Sequence, residues 1–218
     1  MFRKASVSLS VIAWCFCGQA EAGTITAPES VLSEPPVFPD FAFDLTIDQS
    51  GLSANYVRGV TDFDSYIAGS PTHMGEFAPP NFGAADPETG IVDYDMGSSM
   101  TMTRLVLWQY PFPDVGPILD FDVYTSNDAT FAISTFVGSF TAIADGTFPL
   151  TPNGAQVFDL TDSTARYFRI DVQSSTSDPS SAFGWSEIAV EAVPEPASAL
   201  LVCSGLAMCA ARLRRRNS

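Results

Sequence analysis

Residues 119–128 read LDFDVYTSND, and this stretch decides the fold class. Phe121 and Val123 alternate with Asp120 and Asp122, which is the two-residue period of a strand with one buried face. The Ser-Asn-Asp sequence that follows is typical of a turn, because these side chains hydrogen-bond to the nearby backbone. The stretch therefore predicts a half-buried strand that ends in a turn.

Seven other segments have the alternation or composition of strands, and turns rich in Pro, Gly, Asn and Ser separate them. No stretch between residues 23 and 193 keeps apolar residues at helical spacing over three turns, which disfavours βαβ units and a parallel sheet. We therefore predict an all-β, antiparallel β-sandwich of jelly-roll type over residues 41–192. The seven predicted strands are residues 41–47, 56–60, 103–108, 131–136, 155–160, 166–172 and 185–191.

The N-terminal segment has the features of an export signal. Arg3 and Lys4 precede an apolar run that ends at the small-x-small pattern Ala20-Glu21-Ala22. Residues 1–22 are therefore predicted to be a signal peptide cleaved before Gly23. A lipoprotein signal is the alternative, although the residues before Cys15 and Cys17 are large rather than small. Residues 23–40 contain four prolines and several acids, and we predict an extended, Pro-rich acidic leader there.

The C-terminal segment, residues 193–218, has three parts. Pro194, Glu195 and Pro196 come first, residues 197–211 follow without a charge, and an arginine cluster ends the chain. Fifteen residues are close to the lower limit for crossing a bilayer, so we predict a transmembrane helix with its arginines on the cytoplasmic side. A buried core helix is the alternative. The cluster consists of Arg212, Arg214, Arg215 and Arg216.

This three-part pattern, paired with a signal peptide, resembles the PEP-CTERM sorting signal of Gram-negative bacteria. The resemblance implies that an exosortase, a membrane cysteine protease, recognises and cleaves the tail. It also implies export across the inner membrane, transient anchoring through the C-terminal helix, and release to the cell surface or extracellular matrix. Members of that family are linked to exopolysaccharide and biofilm production. Pro194, Glu195 and Pro196 would then be recognised as a substrate.

Charge and cysteine content are unevenly distributed along the 218 residues. All four cysteines lie in the two terminal apolar segments, so the central region has no disulfide or thiolate chemistry. Between residues 23 and 193, four arginines stand against 23 acidic residues, which gives a net charge of −19. A phosphate backbone would be repelled by such a domain, so nucleic-acid binding is disfavoured.

Four short motifs in the predicted sandwich resemble discoidin-like, galactose-binding-like domains. That family has a jelly-roll fold, binds glycans or lipid head groups through loops at one end, and in many members holds a structural calcium ion. The resemblance covers roughly residues 45–191, and the cysteine pair that often joins the family's termini is absent here. The motifs are residues 104–108, 121–128, 165–170 and 184–188.

Enzyme signatures are weak in this sequence. His73 is the single histidine, in a predicted loop, and no serine has the Gly-x-Ser-x-Gly context of a hydrolase nucleophile. Glycoside hydrolysis needs only two carboxylates, but the abundance of acids here removes the specificity of that signal. We therefore predict a non-enzymatic protein.

Closely spaced aspartates are candidate calcium ligands. Asp62 with Asp64 and Asp93 with Asp95 flank a long loop, and calcium is a hard cation that prefers carboxylate oxygens. Residues two apart on a strand share a face, so each pair places two charges side by side. A solvated acidic face is the alternative interpretation, and it is the one favoured for Asp120 and Asp122.

Aromatic residues are candidate sugar-binding groups. Trp108, Tyr110 and Phe112 run from a strand end into a proline-rich loop, and aromatic rings can stack on a pyranose ring. Core packing is the competing interpretation. We therefore expect an exported surface protein that contacts extracellular polysaccharide, or alternatively a passive structural component of the envelope or biofilm matrix.

Overall fold

The computed structural model describes residues 22–38, 40–73, 83–85, 89–109, 116–144, 152–176 and 182–193. Strands dominate these residues, with a 3-10 helix at Phe43–Thr46 and one short α-helix, α1, at Phe63–Ala68. The strands are β1 (Thr24–Thr26), β2 (Ser30–Ser33), β3 (Thr72–His73), β4 (Gly83–Ala85), β5 (Gly90–Gln109), β6 (Gly116–Pro117), β7 (Asp120–Ser126), β8 (Thr135–Thr141), β9 (Asn153–Val172) and β10 (Phe183–Val193).

The central sheet has the strand order β1-β10-β5-β9-β7-β8. The short strands β2, β3, β4 and β6 pair with β5, β9 and β10 at its margins. Among the described strands, every pairing is antiparallel except that of the two-residue strand β6 with β10. The prediction of an all-β, antiparallel fold is confirmed.

Strands β5 and β9 create the two layers of the sandwich. Each has 20 residues, a length of about 66 Å if fully extended. Their register is interrupted between Asp95 and Met100, where Gly97 has a φ of +80°. In one layer, the first half of β5 pairs with the second half of β9, which pairs with β7, and β7 pairs with β8. In the other layer, the second half of β5 pairs with β10 and with the first half of β9. A Cβ atom at Gly90 would lie 3.1 Å from the Phe183 ring, so the ends of the two layers face each other.

The sandwich has two hydrophobic cores. The main core lies between the layers and contains Leu105 and Leu107 of β5. Val106 and Trp108 alternate with them and point to the other face of the same layer. There they form the second core with Phe63 of α1, which covers them. The layer formed by β10 and the second half of β5 is therefore buried on both faces.

Residues 23–40 are not the extended leader that we predicted. β1 pairs with β10, β2 pairs with β5, and Ile25 is fully buried in the second core. The two strands have three and four residues, too few to show a two-residue period between the prolines. The sandwich therefore begins almost at the predicted signal-peptide cleavage site.

A 3-10 helix at Phe43–Thr46 lies where a strand over residues 41–47 was predicted. The Phe43 ring lies 4.6 Å from that of Trp185, and the Thr46 hydroxyl donates to the Phe43 carbonyl oxygen at 2.7 Å. Residues 56–60 are likewise not a strand but a turn, in which Gly59 has a φ of +67°. Phe43 and Tyr56 are buried without a pleated strand, whereas Val57 and Val60 are exposed.

The helix α1 was missed because it is short. Its six residues cannot show helical periodicity over three turns. Asp62 begins the helix by accepting a hydrogen bond from the Ser65 backbone N–H at 2.8 Å. Phe63 and Tyr66, three residues apart, then pack on the second core.

The other predicted strands are close to the observed ones. Residues 103–108 lie in β5, 119–124 overlap β7, and 185–191 lie in β10. Residues 155–160 and 166–172 are parts of the single strand β9, because the polar residues between them continue the strand through its bend. Residues 131–136 only overlap the start of β8.

The predicted signal peptide and the C-terminal sorting segment lie outside the described residues. Among the residues that are described, no helix has both the length and the apolar content needed to cross a membrane.

Candidate functional site

The predicted sugar-binding aromatic residues do not form a site among the described residues. Trp108 has 0% of its surface exposed, and its indole N–H donates to the Pro71 carbonyl oxygen at 3.1 Å. Strand alternation points it into the second core, so stacking on a sugar is excluded in this conformation. Tyr110 and Phe112 lie outside the described residues.

Arginines bind three of the four predicted calcium ligands, two of them through both carboxylate oxygens. The carboxylate of Asp93 accepts two hydrogen bonds from Arg169, at 2.6 and 2.9 Å. Asp95 accepts two from Arg166, both at 2.8 Å, and this bonding lowers the pKa of Asp95. The guanidinium groups of Arg166 and Arg169 therefore supply the positive charge that the sequence analysis assigned to a calcium ion.

The other two predicted ligands also have different partners. Asp62 caps α1, and its hydrogen bonds with Ser65 lower its pKa. Asp64 accepts a hydrogen bond from Arg104 at 2.7 Å. In the part of the chain that the structure describes, no three His, Cys, Asp or Glu side chains are grouped as metal ligands. The four aspartates thus have structural partners in this conformation, and the calcium site stays a prediction.

His73 is buried in β3 rather than solvated in a loop. Its Nε2 atom lies 2.8 Å from the Ser50 carbonyl oxygen, and burial lowers the pKa of the imidazole. A buried ring with this contact is not presented to an external substrate.

A polar and aromatic surface does occur on the outside of the layer formed by the first half of β5, the second half of β9, β7 and β8. We call it the outer face. The core residues of β7 alternate with the residues that point outward, so the outer face is the second face of strands whose first face fills the main core. It consists of Ile91, Asp93, Asp122, Tyr124, Phe136, Ser139, Arg169 and Asp171.

Carboxylates form the first row of the outer face. Asp122 of β7 lies directly opposite Asp171 of β9, and Ser139 of β8 is the neighbour of Asp122 on the other side. The Ser139 hydroxyl donates to the Asp122 carboxylate. Partial burial, followed by the charge of Asp122, raises the pKa of Asp171. Two like charges on adjacent strands are unfavourable, and the carboxylate oxygens that Ser139 does not bind are placed to accept hydrogen bonds from a ligand.

Aromatic rings form the second row. Phe136 of β8 has 53% of its surface exposed, and its ring centroid lies 5.5 Å from that of Tyr124 in an edge-on arrangement. Burial, followed by the charges of Asp122 and Asp171, raises the pKa of Tyr124. An exposed ring therefore lies next to hydrogen-bonding groups.

Arg169 of β9 lies opposite Tyr124 and ends the second row. Its guanidinium stacks over the Phe131 ring, 4.2 Å from the ring centroid, while it binds Asp93. The hydrogen bond to Asp93 raises the pKa of Arg169. Asp93 thus neutralises the charge of Arg169, and the two contacts fix its position. Arg169 therefore shapes the outer face and adds little net charge to it.

A concave region of about 380 Å³ beside the β7–β8 turn is a weaker candidate. Its polar atoms already bind one another: the Thr125 and Ser163 hydroxyls are 2.6 Å apart, and the Ser126 hydroxyl donates to the Ile133 carbonyl oxygen at 2.7 Å. Asn127 donates to the Thr164 carbonyl oxygen and accepts from the Arg166 N–H. These bonds close the turn and leave little for a ligand.

Sequence reasoning did not find the outer face. Asp122 was interpreted as a solvated charge, and Tyr124, Phe136, Ser139 and Asp171 were not singled out. The alternation of β7 does predict that Asp122 and Tyr124 point outward. The strand register decides which residues of β8 and β9 lie beside them, and this register cannot be read from the sequence.

Structural comparison shows the fold. The chain is similar to a structure described as truncated AlyQ with CBM32 and alginate lyase domains, with a TM-score of 0.52 and 18% identity over 80% of this chain. It spans 35% of that structure's length. The chain therefore has an all-β, antiparallel fold of the CBM32, galactose-binding-like type.

More distant similarities were also found. A family 32 CBM from C. perfringens NanJ in complex with galactose has a TM-score of 0.47 and 12% identity, covering 78% of this chain and 98% of that one. Chitosan-binding module 1 from the chitosanase/glucanase of Paenibacillus sp. IK-5 has a TM-score of 0.43 and 16% identity, covering 78% and 94%. No protein-family model matches the sequence, and no curated protein matches it.

Proposed function

We propose that the β-sandwich is a non-catalytic carbohydrate-binding domain that uses the outer face. The observation that carries the proposal is the exposed Phe136 ring beside Tyr124 and Asp122. An aromatic ring can cover the apolar face of a pyranose, while carboxylates accept hydrogen bonds from its hydroxyl groups. The CBM32-type fold supports the same function.

The charge of the outer face favours an uncharged sugar. Asp122 and Asp171 would repel an acidic polysaccharide, and the nearby Arg169 is already neutralised by Asp93. The whole domain also has a large negative charge. We infer that the ligand is a neutral glycan of the cell surroundings.

Replacing Phe136 with alanine should weaken the binding of a neutral oligosaccharide about fivefold, since ring stacking contributes on the order of 1 kcal/mol. Isothermal titration of the purified protein with a panel of neutral and uronate-containing oligosaccharides measures the effect. Ile143→Ala is the matched control, because Ile143 is 68% exposed and lies outside the outer face. Equal affinities for the Phe136 variant and the wild type would exclude the outer face. If no glycan binds at all, the passive structural role is the one that remains.

We further propose that the domain reaches the cell surface or matrix by the PEP-CTERM route. The order of signal peptide, Pro194-Glu195-Pro196, apolar segment and arginine cluster supports this proposal. An exosortase is then a processing partner, and the membrane is a partner only until cleavage.

Glu195→Ala is expected to accumulate an uncleaved, membrane-associated form, because the substitution removes the charged residue of the recognition motif. Immunoblots of membrane and extracellular fractions measure the size and place of the protein, with Ser198→Ala as the control. Normal cleavage and release of the Glu195 variant would contradict the sorting proposal without affecting the sugar-binding one.

A further inference from the structure

A second concave site lies at the end of the sandwich where β1 begins and β10 ends. It has a volume of about 340 Å³, within the range of small-molecule sites. Thr26 of β1, Glu29, Arg58, Met100 of β5 and Val193 of β10 contribute to its wall. None of them belongs to the outer face.

A fixed pair of polar groups marks this site. The Arg58 guanidinium donates from one nitrogen to Glu29 at 2.8 Å and from the other to the Met96 carbonyl oxygen at 2.5 Å. The Glu29 backbone N–H in turn donates to the Asp95 carbonyl oxygen at 2.7 Å. The Arg58 side chain and the Glu29 backbone are thus bound to the same bend of β5, so a donor and an acceptor are held side by side.

Close packing at Gly97 fixes the carboxylate further. A Cβ atom at Gly97 would lie 2.1 Å from the Glu29 carboxylate, and the residue has a φ of +80° that favours glycine. The absence of a side chain at Gly97 therefore makes room for the carboxylate. A surface ion pair by itself contributes little to stability. The fixed positions of Glu29 and Arg58 are therefore better suited to binding a ligand than to stabilising the fold.

The Thr26 hydroxyl is the unexplained group of the site. Thr26 is only 3% exposed, and its Oγ1 atom has no hydrogen-bond partner. An unpaired buried hydroxyl costs free energy, because it has lost its hydrogen bonds to water. A ligand hydroxyl that enters the cavity would supply the missing partner.

We propose that this cavity binds one uncharged sugar ring, as a second site in addition to the outer face. Arg58 and Glu29 cancel in charge, so neither an anion nor a cation is favoured by the pair. Their donor and acceptor atoms, together with the Thr26 hydroxyl, match the alternating donors and acceptors of a polyhydroxylated ring. Met100 and Val193 supply apolar surface for its C–H groups. The inference extends the proposed carbohydrate binding, and two sites on one chain would give avidity for a polymer.

Titration of the purified full-length protein with neutral monosaccharides and disaccharides tests the second site. Galactose, glucose, mannose and N-acetylglucosamine are suitable first probes. The wild type should bind at two sites, and Thr26→Val should weaken one of them about tenfold while leaving the other unchanged. Phe136→Ala should show the reverse pattern.

Two further variants keep the test decisive. Thr176→Val is the matched control, because the Thr176 hydroxyl is also buried without a partner but lies outside the cavity. Glu29→Gln keeps the shape of the carboxylate while removing its charge, and it should weaken the same site as Thr26→Val. A single site that is sensitive to Phe136→Ala and insensitive to Thr26→Val overturns this inference and leaves the proposed function intact. No sugar binding by the wild type overturns both.

Discussion

Replacing Trp108 with alanine is expected to lower the free energy of unfolding by about 3–5 kcal/mol. The side chain is fully buried against Val106, Phe63 and Tyr66 in the second core, and its indole N–H is bonded to the Pro71 carbonyl oxygen. The substitution would leave a large cavity and an acceptor without its partner. Urea denaturation of the wild type and the variant measures the loss.

The same variant separates the two interpretations of Trp108. If the residue is structural, the folded fraction of the variant should bind neutral sugar with wild-type affinity. Phe136→Ala, on the exposed outer face, should show the opposite behaviour, with weak binding and little change in stability. A Trp108 variant that is as stable as the wild type but no longer binds sugar would restore the sugar-stacking prediction.

Replacing Glu187 with glutamine is expected to stabilise the protein by about 1–3 kcal/mol near pH 8 and to have little effect near pH 4. Glu187 has no exposed surface, and only one of its carboxylate oxygens has a partner, the Gln49 backbone N–H at 3.1 Å. Burial, followed by the charge of Asp48, raises the pKa of Glu187 well above its usual value. Glutamine has the same shape and carries no charge that burial would penalise.

The direction of this pH effect follows from proton binding. A raised pKa means that the native state holds the Glu187 proton more tightly than the unfolded state does, so stability falls as pH rises above the unfolded pKa. Asp95 and Glu191 act in the opposite direction, because arginines lower their pKa values and their contribution is lost on acidification. Denaturation of the wild type and the Glu187 variant between about pH 4 and pH 8 measures the difference. Parallel stability curves would show that folding does not raise the pKa of Glu187.

The arginines explain how such an acidic domain remains compact. Each of the four arginines among the described residues binds at least one carboxylate. Arg104 binds both Glu191 and Asp64, and Arg166 and Arg169 bind the buried Asp95 and Asp93 in the first half of β5. The pairs offset three of the four buried acids among the described residues, Asp93, Asp95 and Glu191, and Glu187 is the exception. This distribution is consistent with a neutral ligand and disfavours nucleic acid.

Local patterns predicted the strands that have a solvated face. In β7, Phe121 and Val123 alternate with aspartates, so both the strand and its inward face were predictable. In β10 almost every residue is buried, since core residues lie on both sides of it. Trp108 lies on the neighbouring strand β5. Its sequence position does not reveal that α1 covers its outward side.

The candidate sites depend on contacts between distant segments. Asp122 and Asp171 become neighbours through the register of β7 with β9, and Phe136 reaches Tyr124 through the β8 pairing. Glu29 and Arg58 meet because β1 pairs with β10 and β2 with β5, in a region that was predicted to be an extended leader. None of these contacts has a local sequence signal, which is why the two sites were missed.

Mapping the binding surface by amide chemical shifts is the most direct test of the central claim. A neutral oligosaccharide that binds the protein is titrated while the ¹⁵N–¹H spectrum is recorded. We predict that the largest shifts fall on the outer face, at and next to Asp122, Tyr124, Phe136 and Asp171. Shifts confined to residues 110–115, or a spectrum that does not change with any neutral glycan, would contradict the assignment of carbohydrate binding to the outer face.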